Sequence, residues 1–143
     1  IIAAGGICDG PTMAAAFAMG AEGVQLGTAM LSCADSPVHP NWKNAIYEGK
    51  ETDTVFLNQQ GRPALRAMRT ERTGELELMG QFQPFEHMAN ILDLYFGGDL
   101  EAAIPLTGQV MGRINEARSA AEIVETTMEG FHTCLASLQG QYA

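Results

Sequence analysis

The chain has 143 residues, 46% hydrophobic and 17% charged, which suits one folded domain and disfavours a disordered or low-complexity polymer. Seventeen acidic against eight basic residues give a formal charge of -9, which argues against a nucleic-acid binder that works through clustered Lys and Arg. Cys8, Cys33 and Cys134 are odd in number and widely spaced, against a disulfide framework or zinc site and for a reducing compartment, with the cytoplasm as the default; no apolar run approaches the roughly 20 residues of a membrane helix.

The chain opens on Ile1-Ile2-Ala3-Ala4-Gly5-Gly6, without an initiator Met or a targeting pattern, and is expected to be a fragment that starts inside a fold. Ile1 to Ala4 predicts a short strand buried on both faces, leaving through the Gly pair. Asp9 is placed to cap a helix that starts near Pro11 and runs through the Ala-rich stretch to Met19, with Gly20 as its stop. Val24-Gln25-Leu26 predicts a second strand, which again exits through glycine, at Gly27-Thr28, into Ala29-Met30-Leu31.

From Ser36 the character changes. Asn41 to Tyr47 predicts a helix with Trp42, Ala45 and Ile46 on one face, Thr52 to Leu57 is rich in strand formers, and Ala64 to Arg69 suits strand or helix equally. Phe85 to Phe96 carries Met88, Ile91, Leu92 and Tyr95 at helical spacing and predicts one helix ended by Gly97-Gly98. After a short helix led by Thr107-Gly108-Gln109, the capping-box pattern Ser119-x-x-Glu122 opens a long amphipathic helix. Its apolar face holds Ile123, Val124, Thr127, Met128, Phe131, Cys134, Leu135 and Leu138.

Two parallel strands that each leave through glycine into a helix would bring several main-chain N–H groups to one sheet edge. Such amides bind a phosphate without Lys or Arg, and glycine lets its oxygens come close. In an eight-stranded α/β barrel this arrangement belongs to the loops after strands 7 and 8. Neither loop matches G-x-G-x-x-G or G-x-x-x-x-G-K-[ST], which disfavours a dinucleotide fold and a P-loop.

At these residues the chain resembles a known family. Ala3-Ala4-Gly5-Gly6-Ile7, Gly20-Ala21-Glu22-Gly23-Val24-Gln25-Leu26-Gly27-Thr28 and Ser36-Pro37-Val38-His39-Pro40 look like the nitronate monooxygenase (2-nitropropane dioxygenase) family. Gly61-Arg62-Pro63, Arg66-Ala67 and Gly108-Gln109 continue the similarity in the family's order. The resemblance implies an α/β fold, the C-terminal portion of a (βα)8 TIM-type FMN barrel. Residues 1–34 would be its last two βα units, 35–105 an inserted, mostly helical substrate-side subdomain, and 106–143 the closing C-terminal helices. It also implies that Gly5, Gly6, Gln25, Leu26, Gly27 and Thr28 line the phosphate and ribityl end of FMN.

The family oxidises alkyl nitronates with O2, so the resemblance implies a flavoprotein monooxygenase acting on a nitronate or nitroalkane. Its catalytic histidine belongs to an earlier strand outside this chain, so no catalytic residue is assigned here. The missing N-terminal half of the barrel becomes the implied partner, the fragment alone is expected to be inactive, and a homodimer stays open. An FMN-dependent enoyl-acyl-carrier-protein reductase resembles the same region. A non-catalytic phosphate-binding barrel is the alternative from another class.

The remaining candidates have ordinary readings beside functional ones. His39 suits a helix start as well as an active-site face; His87 and His132 lie on predicted helices, and no histidine has the spacing of a metal ligand. Cys8 reads as packing. Lys43, Arg62, Arg66 and Arg69 could steer an anion or form a solvated face, and Gln109 could reach a ligand or face solvent.

Overall fold

The computed structural model describes residues 1–142 and has an α/β fold made of two compact units. One comprises Ile1–Ser36 with Glu116–Ala143, the other Pro37–Asn115.

In the first unit, β1 (Ile2–Ala4) pairs in parallel with β2 (Gly23–Gln25), with Ile2 opposite Gly23, Ala3 opposite Val24 and Ala4 opposite Gln25. Helix α1 (Gly10–Ala18) connects them, a crossover of the kind that parallel pairing requires. Asp9 caps it, and Gly20 turns the chain back at φ 97°, a left-handed value that glycine adopts without a steric penalty. Alternation along the strands sends Ala3 and Val24 into a core with Ile7, Met13, Ala16 and Leu26. The expected burial on both faces is not found: Ile2 is 71% exposed, because the described helices cover one face of this two-stranded sheet. The single-turn helix α2 (Thr28–Leu31) follows β2.

Helix α6 (Ala120–Tyr142) packs across α1, with Phe131 tilted against Phe17 at 5.4 Å between ring centroids. The Ser119–Glu122 box forms, since Glu122 Oε2 accepts from Ser119 N at 2.7 Å and Ser119 Oγ accepts from Glu122 N at 3.2 Å. These bonds to Ser119 hold the Glu122 carboxyl below its ordinary range. Asp35 Oδ2 adds a bond from Ala120 N at 2.7 Å. Along the predicted apolar face Ile123 and Thr127 are buried, yet Val124, Met128, Leu135 and Leu138 stay exposed. Val124 and Met128 border an open apolar cleft with Met13, Val24 and Leu26, and nine-residue α1 spans roughly 13 Å against about 34 Å for 23-residue α6, so α1 cannot cover the whole stripe.

The second unit starts with α3 (Pro40–Glu48), whose Trp42 and Ile46 are fully buried. Its core rests on an antiparallel hairpin, β3 (Thr54–Leu57) with β4 (Leu65–Met68), which resolves the undecided segment as a strand. Val55, Leu57 and Ala67 pack there with Phe82, Ile104 and Leu76 of helix α4 (Glu71–Met79), an element with no sequence expectation. The helix predicted over Phe85 to Phe96 is instead a 3-10 turn, Pro84–Met88, and a short helix, α5 (Ile91–Tyr95). Asn90, at φ -98° and ψ 32°, leaves helical geometry between them. Residues 106–115, expected with the closing segment, belong to this unit. There Trp42 Nε1 donates to Thr107 Oγ1 at 3.1 Å, and the 3-10 turn Gln109–Arg113 packs on α3.

Asn58 ties the hairpin exit to the chain beyond α4. Buried, and held at φ 56°, it donates through Nδ2 to Pro63 O and accepts from Phe82 N through Oδ1, both at 2.9 Å. Asn58→Ala leaves the buried Phe82 N–H without its acceptor and removes the bond to Pro63 O, and should lower stability by about 2 kcal/mol. Urea unfolding of the full-length protein checks this; a loss under about 0.5 kcal/mol would contradict the tie.

Candidate functional site

Sheet register sets the geometry of the candidate site. Because Ala4 lies opposite Gln25 in a parallel pair, Gly5-Gly6 and Leu26-Gly27 leave the same end of two neighbouring strands. Paired strands lie about 4.8 Å apart, so the two bends are neighbours. Gly5 and Gly6 are exposed and turn at φ 86° and 76°, values that L side chains rarely adopt. Gly27 differs: it caps α2 at φ -97° and ψ -78°, which needs no glycine. A Cβ at Gly5, Gly6 or Gly27 would meet no atom within 4 Å, so open space lies beside all three.

The other predicted residues divide by role. Gln25 is exposed at the end of β2. Leu26 packs its half-buried side chain against the core of Ile7, Met13 and Ala16, and Thr28, the first residue of α2, is buried. Residues 1–36 contain no Lys or Arg, so an anion held here depends on main-chain donors. The N-terminus of α1 is closed to it. Asp9 Oδ1 accepts from Thr12 N at 2.9 Å and from Thr12 Oγ1 at 2.7 Å, so a carboxylate occupies the end that the sequence reading assigned to a phosphate. The Asp9-x-x-Thr12 spacing carried that signal. Since α2 is a single turn, its donors are individual amides and hardly a macrodipole.

The remaining candidates are occupied by structure. His39 Nδ1 accepts from Asn41 N at 3.1 Å as the cap of α3, His87 stacks edgewise on Phe82, and His132 lies edgewise against Phe131. Arg66 donates to Thr54 Oγ1 and lies 5.3 Å from the centroid of the Phe56 ring, while Arg69 pairs with Glu77 at 3.1 Å. Both guanidiniums are therefore engaged, which weakens the steering reading. Gln109 is exposed and Cys8 is buried. No group of three His, Cys, Asp or Glu side chains able to hold a metal exists among the described residues, and none of their helices is long and apolar enough to cross a membrane.

Comparison with known proteins agrees with the family resemblance. A probable nitronate monooxygenase of Staphylococcus saprophyticus is 49% identical over 65 residues, 45% of this chain and 18% of that protein. One of Staphylococcus aureus is 53% identical over 56 residues, 39% of this chain and 16% of that protein. FabK from Thermotoga maritima superposes with a TM-score of 0.87 at 34% identity, over 98% of this chain and 46% of FabK. Nitroalkane oxidase from Streptomyces ansochromogenes shares the fold at TM-score 0.79 and 23% identity, over 96% of this chain and 40% of that one. The chain thus spans less than half of each solved relative, and its matches cover under a fifth of the two curated proteins. The family model for nitronate monooxygenase matches residues 1–130, and the chain belongs to that family.

Proposed function

We propose that this chain forms the phosphate-gripping end of an FMN-dependent nitronate monooxygenase, with β1 and β2 as barrel strands 7 and 8. Family membership and the paired bends support the reading. The observation that carries it is Gly27, a glycine that neither its backbone angles nor its surroundings demand. A ligand approaching the main chain supplies the missing reason.

The fit is chemical as well as steric. Main-chain N–H groups of Gly5, Gly6, Gly27 and Thr28 would hold the phosphate, with Gln25 and Leu26 lining the ribityl end. FMN, when bound, supplies the one-electron chemistry that lets O2 oxidise an alkyl nitronate. The chain's own part is to fix the cofactor's anionic end by amides that need no proton or counter-charge. His39, His87 and His132 serve caps and ring contacts, so proton handling at the substrate is assigned outside this chain. Activity and a cytoplasmic location are proposed for the full-length protein.

The FabK match, at 34% identity over nearly the whole chain, favours a second reading, an FMN-dependent enoyl-acyl-carrier-protein reductase. Purified full-length protein should be yellow, with a flavin spectrum, and should take up O2 when given propionate 3-nitronate. A colourless protein that binds no FMN defeats both readings. Anaerobic bleaching by NADH or NADPH, reversed by an enoyl thioester, without O2 uptake on nitronates selects the reductase.

A further inference from the structure

The Gly5-Gly6 bend is held from both sides. On one side Ala4 is locked in the sheet opposite Gln25. On the other, Thr12 Oγ1 accepts from Cys8 N at 3.1 Å and from Asp9 N at 3.2 Å, and its proton points to Asp9, with Oδ1 at 2.7 Å and the carbonyl at 2.9 Å. Ile7 and Cys8 are buried directly after the bend. The two glycines are thus left as joints between fixed ends, and glycine loses the most freedom when it is ordered.

We infer that Thr12, acting through Cys8 and Asp9, is a positioning residue for the anion cup at Gly5, Gly6 and Gly27. This rests on the phosphate reading above. Two consequences of the hydroxyl carry it. Without that acceptor the amides of Cys8 and Asp9 lose a partner, residues 7–9 loosen, and a bound phosphate must itself order the glycines, which weakens binding. The second consequence is electrostatic. Thr12 holds the Asp9 carboxylate on the first turn of α1 through two bonds to Oδ1, from its hydroxyl at 2.7 Å and from its main-chain N at 2.9 Å. With the hydroxyl gone, only the main-chain one of these two bonds remains, so the carboxylate is held less firmly and its charge can swing toward the anion.

The test compares FMN with riboflavin, which lacks the phosphate, by titrating flavin fluorescence on the full-length apoprotein. Thr12→Val should weaken FMN about tenfold and riboflavin less than about twofold, and Thr12→Ser should restore FMN. An unchanged FMN-to-riboflavin ratio in Thr12→Val overturns the inference, as does an equal loss of both ligands. If Thr12→Val does not fold, Thr12→Ala, which also removes the hydroxyl, reads the same quantity: a lowered FMN-to-riboflavin ratio supports the inference, and an unchanged ratio overturns it. Wild-type protein that binds both flavins equally refutes the phosphate reading itself, a result distinct from loss of the Thr12 effect alone.

Discussion

Gly27→Leu in the full-length protein should weaken FMN binding by about 100-fold, the worth of one or two amide bonds to a doubly charged phosphate. The apoprotein should melt within a few degrees of wild type. This separation is possible because a side chain at Gly27 enters open space and its backbone angles suit any residue. The main structural cost is the loss of a favourable cap on a one-turn helix, about 1 kcal/mol or less. Gly6 gives no such separation, since its φ of 76° strains any other residue and confounds folding with binding. Equilibrium dialysis with FMN and a thermal melt of the apoprotein check the prediction together. Wild-type FMN affinity in Gly27→Leu would remove the observation on which the flavin assignment stands.

Much of this architecture is local in sequence, which is why it could be read there. The cap at Asp9, the left-handed Gly20 and the Ser119–Glu122 box each depend on residues within four positions of one another. The same holds for the doubled strand-to-glycine exits. Elements held by distant partners left weaker signals. Helix α4 buries Thr73 and Leu76, too few for apolar periodicity, carries Gly74 in its middle, and is capped by Thr70 with Thr73, not by a Ser/Thr-x-x-Glu pattern. Its first amides are also held from a distance: Glu101 accepts from Glu71 N at 3.0 Å and from Arg72 N at 2.9 Å. At the candidate site, the sequence placed glycines at both exits but did not distinguish their purposes. Gly5 and Gly6 are dictated by backbone angle, whereas Gly27 is not. Nor did it foresee that Asp9 closes α1 to an anion, because a capping residue and an anion compete for the same amides.

Contacts between distant glycines were the least legible feature, and they give the largest expected loss of stability. Gly10, the first residue of α1, lies against Gly130 in the middle of α6. A Cβ on Gly10 would overlap the main chain of Gly130 and Phe131, and a helix backbone has no rotamer by which to yield. Gly10→Ala must therefore push α1 and α6 apart, opening the Phe17–Phe131 contact and the core of Ile7, Met13 and Ala16 beneath it. The expected loss is about 3 kcal/mol or more, at the upper end for overpacking. Gly130→Ala is the control. Its Cβ would sit 3.4 Å from Gly10 Cα, an ordinary contact, and replacing glycine inside a helix by alanine returns up to about 1 kcal/mol. Thermal or urea denaturation of both variants of the full-length protein should place Gly10→Ala well below wild type and Gly130→Ala at or slightly above it. Equal effects of the two substitutions would mean that the helices do not cross at this pair, and the packing that backs the sheet beside the candidate site would need a different geometry.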